Sequence, residues 1–419
     1  MFERVEKNLK GDKIIWAIIL LLSLLSLLAV YSSTGTLAYR YHGGNTIYYF
    51  FKHASYMLLG LGAIYITHLI PYKYYLRLAQ IFLYLSAPLL LLTLVMGTSL
   101  NSASRWLTVP VIGLTIQTSD FAKIALIMYV ARTLALKQDE IKDFKKAFLP
   151  VIIPVGIICT LILPANLSTA LMIFMVSVIL MFIGRVSIKH LSLLGLCGII
   201  FLSLFIIIAP MTHTNLGNRV KTWKHRIVNF SGNNDDKKET NDANFQSEQA
   251  KIAVATGGIL GKGPGNSTQR NFLPHPYSDF IYAIIVEEYG LVGGIFVLSL
   301  YLALLFRAGV IVRKSERTFP AFLAIGLALL LVFQAMINMA VSVNLVPVTG
   351  QTLPLVSMGG SSMLFTSAAI GIILSVSRSI IKEKEVKEEN KEDENKEKKE
   401  DENNINTQAK EKVQEKETE

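Results

Sequence analysis

Long apolar runs separated by short polar breaks dominate the chain. Ten of them approach the roughly 20 residues that cross a bilayer as a helix: 14–33, 50–70, 78–97, 119–136, 148–164, 167–184, 191–210, 279–306, 320–343 and 360–379. The pattern predicts an all-α, polytopic integral membrane protein of about ten transmembrane helices. A charged stretch at 1–13 leads into a membrane domain at 14–380, which is interrupted by one long polar loop at 211–278. The first apolar run is too long for a signal-peptide core, and no A-x-A site follows it, so it reads as a membrane helix. From Ile381 to Glu419 the chain turns Glu-, Lys- and Asn-rich with almost no apolar content. It is expected to be disordered or a frayed, solvated helix.

Composition agrees, with 52% apolar residues among 419 and a net charge of +10. The tail holds 10 Lys against 15 Asp or Glu, a balance of −5, so Met1–Ile380 carries +15. In a membrane protein such an excess reports topology and contact with anionic headgroups, not nucleic acid. Arg4, Lys7, Lys10, Lys13, Lys73, Arg77, Arg132, Lys137, Lys142, Lys145, Lys146, Arg185, Lys189, Arg313, Lys314 and Arg317 fall in one set of segments, whereas the opposite short loops hold only Arg40 and Arg105. Both termini are therefore expected in the cytoplasm and the 211–278 loop outside. Cys159 and Cys197 lie in apolar runs and fit neither a disulfide framework nor a metal site.

Several outward segments carry candidate chemistry. Thr98–Ser119 is broken by Pro110 and Gly113 and places Arg105 beside Trp106, either as a headgroup anchor or in a re-entrant segment lining a cavity. Asp120 and Lys123 share a helix face at i, i+3, as an ion pair or an anion site. Asn166 is placed to cap the run that follows it. Arg219, Lys221, Lys224 and Arg226 surround Trp223 in the long loop, as a phosphate-binding cluster or a solvated face. A short helix beginning near Ser247 is expected to end at Gly257 and Gly258. The Gly-rich turn after it, with Lys262, is no Walker loop: Thr256 stands where the first Gly is needed and Gly263 follows the Lys. Gln334, Asn338 and Ser342, spaced by four, form a polar stripe suited to interhelical hydrogen bonds. Gly359, Gly360, Ser361 and Ser362 open the last run, where free N–H groups can meet an anion or small residues can pack closely.

The stretch Asn271–Gly290, NFLPHPYSDFIYAIIVEEYG, runs from a Pro-broken loop straight into an apolar helix. Asp279 stands at the junction and Glu287 and Glu288 two turns deeper. Carboxylates there must face a cavity or a partner. Ser278 or Asp279 can cap the coming helix; Asp279 can equally be a catalytic group.

These residues resemble the SEDS family (shape, elongation, division and sporulation) over about residues 10–380. GGILGKG and LPHPYSDFIYAIIVEEYG are similar to the family's GGxxGxG turn and LPxxHTDFIFAxxxEExG, and QAMINMAVSVNLVPVTGQTLPLVSMGGSS to its QALINxxVxxGxxPxxGxTLPLISYGGSS. The TLPL wording is closer to the division member than to the elongation member. Departures fall at Thr118 and Asp120, Asn166, Tyr277 and Thr349. The resemblance implies a peptidoglycan glycosyltransferase (a hexosyltransferase) that polymerises lipid II at the outer face of the cytoplasmic membrane, at the division septum, with a class B penicillin-binding protein and other divisome membrane proteins.

It implies Asp279 as general base or metal ligand, with Mg or Mn as the expected cation and no organic cofactor. A sugar hydroxyl needs a base, and a lipid diphosphate leaving group needs only cations. Lys123, Arg105, Trp106, Lys262 and Ser361 are assigned to substrate, and Asp120, Glu287, Glu288, Gln334 and Asn338 to a structural polar network. The alternatives are a transporter that flips the same lipid, a scaffold for division enzymes, or an elongation or sporulation member. The charge bias makes one direct prediction. A cysteine placed at Asn234 should react with an impermeant thiol reagent from outside the cell and one at Asn404 only from inside; the reverse pattern would overturn the orientation.

Overall fold

In the computed structural model, described for residues 10–100, 103–108, 115–208, 242–273 and 275–417 with single positions at 217, 220 and 223, ten helices occupy the ten expected segments. They are α1 (Lys13–Ser33), α3 (Thr46–Leu69), α4 (Tyr72–Met96), α5 (Thr118–Leu136), α6 (Leu149–Ile162), α7 (Leu167–Ile183), α8 (Ile188–Ile208), α10 (Ile281–Lys314), α11 (Thr318–Ser342) and α12 (Gly360–Glu417). Two further helices, α2 (Gly35–His42) and α9 (Asp242–Gly257), lie between them. Among the described residues, seven helices are long and apolar enough to cross a bilayer; α7, at 17 residues, is apolar but shorter.

Helix ends follow local chemistry. Asp12 caps α1, its Oδ1 accepting from the Ile14 and Ile15 amides at 3.0 and 3.3 Å. Its other oxygen binds Arg307 at 2.5 Å, which ties the start of α1 to the end of α10. Asn166 caps α7 through the Thr169 amide, as expected. These contacts put residue 12, the α10–α11 turn and residue 380 on one face, the basic one.

The core is built on α5 and α11, whose apolar sides are buried almost all round. In contrast, α8 buries only Leu191 among its residues, so its apolar surface is left for lipid. Exposed large apolar residues such as Leu20, Phe51, Leu58, Tyr84 and Phe306 are the normal outer coat of a membrane bundle.

The segment after α4, read from the sequence as a headgroup anchor or a re-entrant stretch, contains an antiparallel sheet: β1 (Thr98–Leu100), β2 (Ala103–Thr108) and β3 (Thr115–Gln117), in the order β1-β2-β3. Its β-branched residues suit strands, and Pro110 and Gly113 break any helix through it. The tail is helical as far as Glu417. Glu, Lys and Gln are strong helix formers and α12 supplies the nucleus, so the tail extends an existing helix instead of starting one. It is tethered near its root, where Tyr72 donates to Glu383 at 3.0 Å and Lys387 pairs with Glu316. The Lys387 ammonium holds the Glu316 carboxyl below its ordinary range. Residues 391–419 have almost no apolar side chains to bury, so deleting them should leave the thermal unfolding midpoint in detergent unchanged. A clear drop would show that the tail packs on the membrane domain.

Candidate active site

The 34-residue α10 is two helices end to end. At Gly290 the backbone leaves the helix, with φ 69° and ψ −170°, a conformation that only glycine adopts at little cost. The break frees carbonyls that would otherwise lack donors. The Gly-rich turn supplies them: Lys262 N donates to Glu287 O at 3.0 Å and Gly263 N to Glu288 O at 2.9 Å. In return, Leu291 N donates to Gly258 O at 2.9 Å. The approach leaves no room for side chains. A Cβ on Gly257, Gly261 or Gly290 would lie 2.2, 2.2 or 2.1 Å from a backbone oxygen.

Glu287 and Glu288, both buried, lock this junction. Glu287 accepts from Lys262 Nζ at 2.6 Å, from the Thr268 amide and hydroxyl at 3.1 and 2.8 Å, from the Gln269 amide at 3.2 Å and from the Ser267 hydroxyl. Glu288 accepts from the Ser32 hydroxyl at the end of α1, and Arg270 binds the Ser32 carbonyl at 3.0 Å. Both glutamates, assigned from the sequence to a structural network, are hydrogen-bonded into this junction. Lys262, expected at substrate, has its ammonium on Glu287.

Asp279 lies at the other end of the short arm Ile281–Tyr289, about 13 Å away at 1.5 Å per residue. It is half-buried. The helix N-cap position falls on Phe280, and no side chain caps it, so Asp279 is one residue too early for the capping role. What surrounds it holds its main chain. Asn338 Nδ2 donates to Asp279 O at 2.8 Å, Ser357 Oγ to Ser278 O at 2.6 Å and Met358 N to Tyr277 O at 2.9 Å. Ser278 Oγ donates to Asp279 Oδ1 at 2.9 Å.

Ser357 belongs to a turn, 353–357, that dips between the helices. Tyr301 OH reaches Pro354 O at 2.5 Å and Ser26 Oγ reaches Val356 O at 2.8 Å. Ser26 lies about 9 Å along α1 from Ser32. Asp279 is therefore recessed below the level of Glu288, at the floor of the face opposite the basic one.

The polar stripe of α11 joins this floor to a second cluster. Asn338 also donates to Gln351 O at 2.7 Å, and Gln351 donates to Thr169 at 2.5 Å. One turn away, Gln334 donates to Thr352 O and accepts from Lys123 Nζ, both at 2.9 Å. Lys123 pairs with Asp120 at 2.8 Å, and both are buried. Asp120 Oδ2 and Asn338 Oδ1 are buried without a hydrogen-bond partner. Ser361, in the first turn of α12, accepts from the Gln117 amide at 3.1 Å, which ties β3 to that helix. Half-buried Trp106 of β2, next to Arg105, pairs in register with Gln117 of β3. The Arg105 side chain and the Arg219–Arg226 cluster lie outside the described residues.

The structure thus gathers Asp279, Asn338, Gln334, Lys123, Asp120 and Ser361 around one inward-dipping segment and places Lys262, Glu287 and Glu288 at a separate hinge. Residue-by-residue reading missed Gln351, Thr352 and Ser357, although the TGQTLPLVSMGGSS stretch that holds them was recognised. Beside this segment, an open groove of about 540 Å³ runs along α3, lined by Asn45, Ile47, Tyr48, Phe51, Lys52, Ser55 and Tyr56. The Tyr56 ring lies against Gly360. Among the described residues no cluster of three or more His, Cys, Asp or Glu is gathered.

A helical membrane bundle with a recessed carboxylate beneath a broken helix defines the class. A profile of cell cycle proteins, FtsW/RodA/SpoVE, matches residues 12–382, and the chain belongs to that family. It is 34% identical over 378 residues to the probable peptidoglycan glycosyltransferase FtsW of Haemophilus influenzae, covering 88% of this chain and 91% of that one. It is 30% identical over 382 residues to the stage V sporulation protein E of Bacillus subtilis, covering 89% and 98%. The fold is similar to RodA of Thermus thermophilus (TM-score 0.60, 23% identity, 88% and 97% covered) and to a chain of a peptidoglycan synthase complex (TM-score 0.63, 23% identity, 88% and 98% covered).

The buried pair yields a stability prediction. Lys123→Met leaves the Asp120 carboxylate buried and uncompensated, at a cost of about 3–5 kcal/mol. Lys123→Met with Asp120→Leu should recover much of that loss in thermal unfolding. A double variant no more stable than the single would show that the two charges act independently.

Proposed function

We propose that the protein is a peptidoglycan glycosyltransferase that joins lipid II units into glycan strands, in septal wall synthesis, at the external side of the cytoplasmic membrane. The observation that carries this reading is Asp279: a half-buried carboxylate recessed on the face opposite the basic one, with its backbone held by Asn338, Ser357 and Met358. Membership of the family and the activity named for its relatives supply the reaction class. The basic face, which holds Asp12, Glu316 and Glu383, is the cytoplasmic one in this reading.

In this mechanism a sugar hydroxyl of one lipid-linked unit attacks the anomeric carbon of another. Asp279 takes the hydroxyl proton as the new C–O bond forms. The bond to the diphosphate breaks, and the lipid diphosphate leaves with the electron pair. Asp279 then returns its proton to water. One carboxylate suffices because the leaving group needs charge stabilisation, not protonation. This separates the site from the two-carboxylate sites of glycoside hydrolases.

A Mg or Mn ion fits here only with Asp279 as its protein carboxylate and the substrate diphosphate and water as its other ligands, an arrangement suited to Mg; it would stabilise the leaving charge. Lys123 gives two of its three ammonium protons to Asp120 and Gln334, so its resting role is to hold α5 on α11. Ser361 and the groove beside Tyr56 offer an apolar wall with one cation, Lys52, for the lipid end of the substrate. A class B penicillin-binding protein is the proposed partner, in keeping with the similar chain of a peptidoglycan synthase complex that coordinates polymerization and crosslinking.

The break at Gly290 favours a second reading, a lipid II transporter, because such proteins use discontinuous helices. Asp279→Asn separates the two. With purified lipid II and the partner transpeptidase, the wild-type protein should make glycan polymer. The Asn variant, folded and partner-bound, should fall at least about 100-fold. Near-normal polymer from the variant would remove Asp279 from the chemistry. No polymer from either protein would favour transport.

A further inference from the structure

We infer that His53, on α3, is a positioning residue for Asp279 and acts through Ser26 and the 353–357 turn; this rests on the reading of Asp279 as the catalytic carboxylate.

His53 is buried, at 1% exposure, about 10 Å into an apolar helix. An ionisable side chain at that depth calls for a named partner. Its Nε2 lies 2.8 Å from Ser26 Oγ, which lies 2.8 Å from Val356 O. The direction of these bonds follows from counting hydrogens. Ser26 has one hydroxyl proton, and Val356 O can only accept, so the proton goes there. His53 Nε2 must then donate to Ser26. The imidazole is fixed as the neutral Nε2–H tautomer, with Nδ1 as the bare nitrogen. Nδ1 is buried with no hydrogen-bond partner among the described residues, which a protonated ring would not tolerate.

The chain of contacts then runs to the carboxylate. Val356 O is on the turn in which Leu353 N donates to Ser357 Oγ at 2.7 Å. Ser357 Oγ donates to Ser278 O, and Met358 N to Tyr277 O. The turn is the shelf under Tyr277–Asp279. Tyr301 holds its Pro354 end and Ser26 its Val356 end. Without the donor at His53, the Ser26 hydroxyl is free to rotate away from Val356, and that end of the shelf loosens. His53 and Ser26 act on the backbone of the turn and not on the Asp279 side chain, so their loss should alter the chemical step more than binding.

The test compares His53→Gln, whose terminal amide nitrogen reproduces the Nε2–H donor, with His53→Leu, which has none, in full-length protein with its partner transpeptidase and purified lipid II. His53→Leu should lower kcat roughly tenfold, as small misplacements of a catalytic group do, with KM little changed; His53→Gln should restore most of it. Equal loss in both variants, or a loss confined to KM or to the unfolding midpoint, would overturn the positioning role. Nitrogen NMR of histidine-labelled protein gives an arm independent of activity. The Nε2–H tautomer at His53, lost in Ser26→Ala, supports the contact, and the Nδ1–H tautomer overturns it. Absence of polymer from the wild-type protein would count against the glycosyltransferase reading, and the tautomer would still decide the Ser26–His53 contact.

Discussion

The constraint on which the rest depends is the unpaired backbone left where α10 breaks. A helix interrupted inside a membrane protein exposes carbonyls that neither lipid nor packing can satisfy, each at a cost of several kcal/mol. Here the amides of Lys262 and Gly263 fill that need, and they do so only because Gly257, Gly261 and Gly290 let two backbones touch. The carboxylates of Glu287 and Glu288 add charge-assisted bonds to the same loop and to the end of α1. This junction sets where the short arm points and so where Asp279 lies. A flexible hinge would scatter the carboxylate; a satisfied one fixes it.

The second support is the polar stripe of α11. Gln334 and Asn338 are neutral amides, and each places a donor on the dipping segment between α11 and α12. Amides bridge two elements without the desolvation cost of buried charge. The one buried ion pair nearby, Lys123 with Asp120, is shared with Gln334 as well, so the cation has two acceptors instead of one.

The sequence made the helices legible because hydropathy over a bilayer thickness is a strong, local signal. The i, i+3 spacing of Asp120 and Lys123 and the i, i+4 stripe on α11 were readable for the same reason: their partners are near in sequence or on one face. Gln334 as a partner of Lys123 was not readable, since 211 residues separate them. Nor was the break at Gly290. A glycine in an apolar run signals close packing or a kink, and the turn it meets lies some thirty residues earlier. Asp279 looked like a cap because Asp often is one, and a shift of one residue in the helix start removed that role. The tail illustrates a different limit: composition said that it buries nothing, but not that a preceding helix would carry it onward.

The supports closest to Asp279 grip carbonyls: those of Tyr277, Ser278 and Asp279 itself. Every residue has a carbonyl, so these grips are indifferent to which side chains stand there. The scaffold thereby separates location from identity. These carbonyl grips survive a change of side chain beside Asp279, whereas the amide- and hydroxyl-bearing residues that do the gripping, remote in sequence, have no such freedom. Asp279 itself apart, vulnerability to substitution is displaced from its neighbours in sequence to its distant holders.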